Sequence, residues 1–591
     1  MSYSIASPNS ECRSSLSDGK LHYTKSRESA KGPLMSNVSH EEEFSIHWIR
    51  EVVDRVLERD VSDYLISTGK SPSGSIHIGS LREQIIADVI KRQLQELGKK
   101  ARTMFIVDDY DPVRSFPPGI SLPLKEWAGV PYSDVPDEFG CHESFGSHWA
   151  NEFIDTFPEF GLSPEVVWAH ELYEKKEMQD AVRICLENTE VIREIMIEYV
   201  ARDFDEEQKR QYIESMKTWY PASIVCPKCG HLQAGVKGEI VPNRITQYNR
   251  ETEEVSFECQ ACGHSDTLPL SNLRLKLTWR IDWPAKWFIF KVTCEPAGKD
   301  HAVKGGSYDT GLEVSKRVFG WSGPVKVPYE WVQIGGRDMG TSRGVVFRPN
   351  TWLPVAPPQL YRFLMLKTDL QRTINVQPER IPDMCDEYEK FERVYYGIDN
   401  ADDTRKELTK LLYPLCEPSG ARAAYVPKLP FKYAVLMSQL QGILGRDTVV
   451  ARCEEALKKQ YNLKKIPKGV QSLMLARLEM AKNWAEQFGS SNDRIQVPPT
   501  VPEEVRASLT ESDMNFLSRM AKALGSSSMS DDEIQAAMFQ TARDSGVSDK
   551  QAFVILYRVL ISQKYGPRLG SFINMLGKEW VVSRIESVLQ T

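Results

Sequence analysis

The sequence lacks long apolar runs, an excess of basic residues and a dense cysteine pattern. None of its apolar runs approaches the ~20 residues that span a bilayer, so we expect no membrane segment. Its 74 Lys and Arg residues are outnumbered by 81 Asp and Glu residues, so nucleic-acid binding must rely on local basic patches, and we expect no DNA partner. Eleven mostly scattered cysteines fit a reducing compartment better than a disulfide framework, which predicts a cytoplasmic protein.

The chain of 591 residues is too long for a single core. Residues 1–43 are Ser-rich, polar and aperiodic, which predicts a disordered extension without an apolar signal-peptide core. Capping boxes at Ser530 and Ser548 indicate helices near the C-terminus. We predict five further regions: half of an α/β domain over 44–112, an insertion over 113–275, the second half of the domain over 276–350, a linking stem over 351–395 and a helical domain over 396–591.

The segment SPSGSIHIGSLRE, Ser71–Glu83, has the layout of a nucleotide site. It lies between the apolar run Tyr64–Ile66 and a helical pattern, and backbone N–H groups at a helix N-terminus attract phosphates. Gly74 and Gly79 leave room for a ligand beside the backbone. A second segment, MGTSRG at Met339–Gly344, accompanies it later in the chain.

Three acidic residues follow the next apolar run. Met104–Val107 ends in Asp108, Asp109 and Asp111. Ligands of doubly wound sheets bind beyond the carboxyl ends of the strands, so we expect these acids near the Ser71–Glu83 segment. Turn and cap chemistry is the alternative explanation.

Two Cys-x-x-Cys pairs, 29 residues apart, predict a structural zinc site. Four thiolates in a tetrahedron suit zinc, and four unrelated buried thiols are the alternative. The ligands would be Cys226, Cys229, Cys259 and Cys262.

A second cluster of zinc-ligand types lies within the twelve-residue motif DEFGCHESFGSH. A Cys-His dipeptide with a purely structural role is the alternative. The candidate ligands are Asp137, Cys141, His142 and His148.

From about His47 to the C-terminus, the chain resembles the class I lysyl-tRNA synthetases. The motifs that carry the resemblance are SPSGSIHIG, VDDYDPVR, GCHESFGSH, LTWRIDWPAKW, EPAGKDHAVKGGSYDTG, MGTSRG, DEYEKFERVYYG, LPFKYAVLMSQL and GPRLGSFINMLG. The resemblance implies a Rossmann-type catalytic domain with a zinc-binding insertion, followed by an all-α anticodon-binding cage. It also implies Mg²⁺ with ATP, lysine and tRNA(Lys) as substrates, and zinc at both clusters. We expect a monomer.

The resemblance assigns site residues in three groups. The catalytic residues would be His77, Gly79, Ser80, Ser342 and Arg343. ATP would contact Pro72, Gly74, His77, Gly79, His301, Met339, Ser342 and Arg343. The amino acid would contact Gly69, Ser71, Asp109, Trp279, Asp300, Tyr308 and Asp309, whose acidic and aromatic members suit an ammonium group. Ser80 would cap the helix that follows.

Two positions depart from the family pattern. The signature K-M-S-x-S-K-G becomes D-M-G-T-S-R-G, so that Asp338 replaces the first lysine and Arg343 the second. A lost cationic contact to a transition state costs ~2–4 kcal/mol, which puts full activity in question. Lys70 stands where relatives have an apolar residue, and strand alternation predicts that it points away from the substrate.

Three functions are compatible with these two departures. The first is an active lysine–tRNA ligase. The second is a divergent paralogue that activates an amino acid for another acceptor or a specialised condition. The third is a catalytically impaired tRNA-binding regulator.

Overall fold

The computed structural model describes residues 47–236, 239–340, 346–490, 494–495, 497–525 and 529–590. The predicted extension over 1–43 lies outside these ranges, as do Ser342 and Arg343. The described chain opens with α1 (Trp48–Leu57), β1 (Tyr64–Lys70), α2 (Leu81–Glu96) and β2 (Ala101–Val107).

The middle of the chain mixes helices with short strands. It contains α3 (Leu124–Trp127), α4 (Phe145–Ile154), β3 (Glu165–Trp168), α5 (Ala169–Glu174), α6 (Lys176–Glu187), α7 (Thr189–Val200), α8 (Glu206–Met216), β4 (Ala222–Ile224), β5 (Gln233–Ala234), β6 (Val241–Pro242), β7 (Arg244–Asn249), β8 (Glu254–Glu258), β9 (Ser265–Pro269) and β10 (Leu275–Leu277). Next come α9 (Trp279–Phe290), β11 (Cys294–Gly298), α10 (Lys299–Ala302), α11 (Ser307–Arg317), β12 (Val325–Tyr329), β13 (Val332–Ile334) and β14 (Arg337–Asp338).

The C-terminal region is almost entirely helical. It contains α12 (Pro349–Trp352), α13 (Pro358–Leu366), β15 (Ile374–Val376), α14 (Ile381–Tyr395), α15 (Asp403–Cys416), α16 (Phe431–Gln439), α17 (Gln441–Leu444), α18 (Arg446–Tyr461), α19 (Lys468–Gln487), α20 (Glu503–Ala507), α21 (Glu511–Gly525), α22 (Asp531–Asp544), α23 (Asp549–Ile561), α24 (Leu569–Leu576) and α25 (Lys578–Leu589). Ser530 and Ser548 cap α22 and α23 as their sequence patterns predict.

Five parallel strands form the central sheet in the order β12-β11-β1-β2-β3. β1 and β2 pair in register from Tyr64↔Ala101 to Lys70↔Val107. Later strands lie on both sides of β1, so the strand order reverses between β1 and β11, and such a switch point opens a crevice at the carboxyl ends. β3 lies inside the stretch predicted as an insertion, yet it extends the central sheet beside β2.

The apolar runs of β1 and β2 are buried on both faces. Ile66, Met104 and Phe105 are almost fully buried, as expected of parallel strands covered by helices. The smaller sheets lie outside this layer: β4 pairs with β10, β5 with β6, and β7, β8 and β9 form an antiparallel meander. β13 pairs with β14 and β15 beside the crevice.

A buried arginine connects α13 to α2, which packs on the central sheet. Arg362 on α13 is completely buried, and its guanidinium donates to Asp88 Oδ2 on α2 at 2.8 Å. It also donates to the carbonyls of Phe160 and Leu415. These bonds join α13 to both α2 and α15, and loss of the guanidinium would remove a buried counter-charge from the Asp88 carboxylate. Within the described ranges, none of the helices has the length and apolar character that crossing a membrane requires.

Candidate functional site

A cleft of about 800 Å³ opens at the carboxyl ends of β1, β2 and β11, where the strand order reverses. The loop over 71–77 forms one wall, and its exit is fixed by two long-range bonds. Ile78 N–H donates to the Phe347 carbonyl at 2.7 Å, and Tyr361 Oη donates to the Ile78 carbonyl at 2.9 Å. The loop therefore presents a fixed backbone to the cleft.

His77 lines the cleft with an unsatisfied polar atom. Its Nδ1 is buried and has no hydrogen-bond partner among the described residues. Burial, assisted by the charge of Lys70, lowers the pKa of His77 to about 4, so the imidazole is neutral at pH 7. A neutral ring with a free nitrogen can exchange a hydrogen bond with a bound ligand.

Gly74 and Gly79 are glycines for two different structural reasons. Gly74 has a φ of +149°, which favours glycine. A Cβ on Gly79 would stand 2.9 Å from both His77 Nδ1 and Met339 Cε, so any larger residue would push these side chains apart. Gly74, His77, Gly79 and Met339 all line the cleft, whereas Pro72 does not.

Ser80 does not cap the following helix with its side chain. It occupies the residue before α2, but its backbone is already helical because the 3₁₀ turn Ile78–Ser80 runs directly into α2. An N-cap side chain bonds from an extended backbone, so the helical conformation removes that geometry. Ser80 still lines the cleft.

Four of the seven residues predicted to contact the amino acid line the cleft. Gly69, Ser71, Trp279 and Asp300 line it. The other three face elsewhere: the buried Asp109 carboxylate accepts from the backbone and ring of His170, Tyr308 Oη donates to the Glu295 carbonyl, and Asp309 pairs with Lys326. These three residues do not line the cleft and their side chains already have protein partners, so the structure argues against their contacting the amino acid.

Asp108, rather than its neighbour Asp109, faces the cleft. Its Oδ1 accepts from Lys286 Nζ, while its Oδ2 makes no hydrogen bond to a described residue. Oδ2 lies 3.5 Å from the point where a Cβ on Gly69 would stand. Burial raises the pKa of Asp108, and Lys286 opposes the rise. This oxygen is available to a cation beside the Gly69 backbone.

Buried lysines and acids form a network beneath the cleft. Asp282 accepts from Lys276 and Lys286, each at 2.8 Å, and from Tyr173 Oη at 2.6 Å. The network reaches the loop through one further acid, because Asp111 lies 3.3 Å from Lys276 and accepts from Ser71 Oγ at 2.7 Å.

Aromatic rings form the wall opposite the loop. Trp279 and Trp283 both contact the ring of His301, at centroid distances of 5.4 and 5.7 Å. Below them, the two oxygens of Glu295 accept from the indoles of Trp283 and Trp287, each at 2.6 Å. This wall suits a ligand that has an apolar chain and a positive end.

Lys70 lines the cleft as well, and its charge lowers the pKa of His77 and His301, two other lining residues, so its side chain does not point away as strand alternation predicts. Strand alternation sets only the direction of its Cα–Cβ bond, and the four-carbon stem reaches beyond that. In total, seven carboxylates and three Lys or Arg side chains line the cleft. This excess of acids favours cationic ligands or an anion accompanied by Mg²⁺.

The Cys-x-x-Cys pairs converge on one point. Cys226 Sγ lies 3.7 Å from Cys262 Sγ, and Cys229 Sγ lies 3.6 Å from Cys259 Sγ. Tetrahedral zinc with bonds of ~2.3 Å requires sulfur separations of ~3.8 Å, so the four thiolates could hold zinc. His231 and His264 follow the pairs but are not part of this cluster.

The second predicted cluster also converges. Cys141 Sγ lies 3.1 Å from His142 Nδ1 and 3.2 Å from His148 Nδ1. Asp137 completes the group, and all four donor atoms lie within 4.8 Å of one another. The backbone N–H groups of Cys141 and His142 donate to the Asp137 carboxylate, each at 2.9 Å, which fixes the turn. The donor types and spacing fit zinc.

Comparisons with known proteins cover nearly the whole chain. A family model described as tRNA synthetases class I (K) matches residues 46–419, and one described as an anticodon binding domain matches residues 454–589. The lysine–tRNA ligase of Methanocaldococcus jannaschii is 31% identical over 553 residues, which is 91% of this chain and 99% of that protein.

Two further matches extend the comparison. The lysine–tRNA ligase of Archaeoglobus fulgidus is 30% identical, over 92% of this chain and all of that protein. Among solved structures, a glutamate tRNA ligase from Elizabethkingia meningosepticum covers 89% of this chain and 99% of its own, with 12% identity and a TM-score of 0.39.

Proposed function

The chain belongs to the class I (K) family of tRNA synthetases, and we propose that it ligates lysine to tRNA(Lys) through a lysyl-adenylate. The observation that carries the proposal is the cleft at the strand switch point, which combines a free His77 nitrogen, a free Asp108 oxygen and an aromatic wall. The near full-length similarity to lysine–tRNA ligases supports lysine and tRNA(Lys) as the two substrates that are joined.

The reaction has two steps that need no protein nucleophile. The lysine carboxylate attacks the α-phosphorus of ATP and pyrophosphate leaves. A ribose hydroxyl of the tRNA then attacks the lysyl carbonyl and AMP leaves. The protein accelerates both steps by positioning the reactants and by stabilising charge that develops on the phosphates.

In our assignment, ATP lies along the loop over 71–77. His77 Nδ1 is buried at the end of the loop without a partner among the described residues, and it exchanges a hydrogen bond with the phosphates. Gly74 and Gly79 leave the backbone open, with Met339 beside them. Mg²⁺ accompanies ATP, and the carboxylate-rich cleft suits it.

Lysine lies between the loop and the aromatic wall. Asp108 Oδ2 accepts from the α-ammonium beside Gly69, because this oxygen is free and Lys286 holds the other. The aliphatic side chain then runs along Trp279 and Trp283, whose faces stabilise the ε-ammonium by cation–π attraction. The surrounding carboxylates favour an amine over an acidic side chain.

The two cysteine- and histidine-rich clusters hold structural zinc. Each offers four converging donors, and neither lines the cleft. Bound zinc would stabilise the insertion, whose β7–β9 meander has few buried residues of its own.

The helical C-terminal domain binds the anticodon. The match of residues 454–589 to an anticodon binding domain supports this role. Unstacked anticodon bases are recognised by stacking and edge hydrogen bonds, which helical surfaces can supply.

The impaired regulator is the second candidate, and the observation that favours it is Asp338, an acid beside the proposed phosphate site. ATP–pyrophosphate exchange by the purified protein separates the two functions. A ligase exchanges label only when lysine is added. A regulator that lacks catalysis gives no lysine-dependent exchange but retains tRNA(Lys) in a filter-binding assay.

A further inference from the structure

Lys70 is a cation in the cleft wall that forms no ion pair with a described residue. It ends β1, immediately before the loop that carries His77. The other two basic residues of the cleft differ from it: Lys286 is held by Asp108 and Asp282, and Arg114 is exposed. Lys70 is therefore the partly buried cation that remains available to a ligand.

The neighbours of Lys70 provide no full counter-charge. Burial lowers the pKa of Lys70, and the charge of Glu83 opposes this effect. Both oxygens of Glu83 already accept hydrogen bonds, from Gly69 N–H at 3.2 Å and from Tyr329 Oη at 2.6 Å. Burial also raises the pKa of Glu83 to about 7. An anionic ligand would complete the charge balance of this group.

Asp338 carries the opposite charge in the wall of the same cleft. It replaces the first lysine of the family signature, and its Oδ1 accepts from Gln333 Nε2 at 2.9 Å. An acid at this position repels a polyphosphate, so the site has lost one cation and gained another at Lys70.

We propose that Lys70 supplies the cationic contact to the ATP phosphates that Asp338 cannot make. One cation of the site has thus moved from the position of Asp338 to the end of β1. This inference rests on the proposed function for the identity of the ligand. It makes Lys70 a binding residue for ATP and not a determinant of amino-acid choice.

The test measures binding of a non-hydrolysable ATP analogue with Mg²⁺ by isothermal titration calorimetry, without lysine or tRNA. We expect Lys70→Met to weaken binding about 10- to 150-fold, the range for a hydrogen bond to a charged group. Lys70→Arg should retain most of the affinity. Lys99→Met, which removes an exposed lysine outside the cleft, is the matched control and should bind as the wild type does.

A double substitution tests the relocation itself. In the Lys70→Met background, Asp338→Lys should restore affinity at least fivefold, and this gain should exceed the gain that Asp338→Lys produces in the wild-type background. Should Lys70→Met fail to fold by circular dichroism, Lys70→Gln replaces it.

Two results would overturn the proposal. One is unchanged analogue binding by the folded Lys70 variants. The other is a lower KM for lysine with an unchanged KM for ATP in pyrophosphate exchange, which would assign Lys70 to amino-acid selection. Analogue binding by a wild-type protein that gives no exchange would instead contradict the proposed ligase function and leave the role of Lys70 measurable.

Discussion

Replacing Asp108 by Asn should weaken lysine binding far more than replacing its neighbour Asp109. The Asn side chain preserves the shape of Asp108, and its amide oxygen can still accept from Lys286, but the charge beside Gly69 is lost. A hydrogen bond to a charged group contributes about 1.5–3 kcal/mol, and each 1.4 kcal/mol is a factor of ten. The KM for lysine should therefore rise about 10- to 150-fold in ATP–pyrophosphate exchange, with little change in the KM for ATP.

Asp109→Asn is the matched control, because Asp109 is adjacent in sequence but fully buried and bonded to His170 away from the cleft. This variant should lower the thermal stability and leave the KM for lysine within about threefold of wild type. The reasoning is refuted if Asp109→Asn impairs the use of lysine while Asp108→Asn does not.

Three further predictions concern the loop, the metal and the domain junction. Because the pKa of His77 is about 4 and its ring is neutral, His77→Asn should retain more exchange activity than His77→Ala, which should lose about 10²–10³-fold; equal losses would contradict a hydrogen-bonding role. Cys262→Ser should lower the zinc content by one equivalent per chain in atomic absorption, whereas His264→Ala should not; equal zinc in both variants would exclude the four-cysteine site. Arg362→Met should lower the free energy of unfolding in urea by about 3–5 kcal/mol, because it removes a buried partner of Asp88. The exposed Arg568→Gln should lower it by less than about 1 kcal/mol. Similar urea midpoints for the two variants would contradict a stabilising role for the Arg362–Asp88 pair.

Local patterns of the sequence predicted much of the fold. The apolar runs that form β1 and β2 are buried on both faces, and the Ser71–Glu83 segment joins β1 to α2 as expected. The capping patterns at Ser530 and Ser548 predicted the starts of α22 and α23. This was possible because a cap involves residues only three apart in the sequence. β3 was missed because its four residues carry little periodic signal and only pairing with β2 assigns it to the sheet.

The candidate site was harder to predict because its contacts are long-range. Asp108 and Asp109 are equivalent in the sequence, and only the end of β2 and the position of His170 decide which faces the cleft. The motif LTWRIDWPAKW contains Asp282 and Lys286 and begins just after Lys276, but nothing in the sequence predicted that Asp282 pairs with both lysines. The pairing of Lys276 with Asp111 was not predicted either. Ser80 shows the same limit, since a 3₁₀ turn removed the cap that its position suggested.

The most direct test of the proposed function is charging of total tRNA by the purified protein, with ATP, Mg²⁺ and each of the twenty amino acids in turn. The proposal predicts charging with lysine alone, and loss of that charging when tRNA(Lys) is removed from the pool. Charging with a different amino acid, or no charging with any of the twenty by protein that still binds tRNA(Lys), would contradict it.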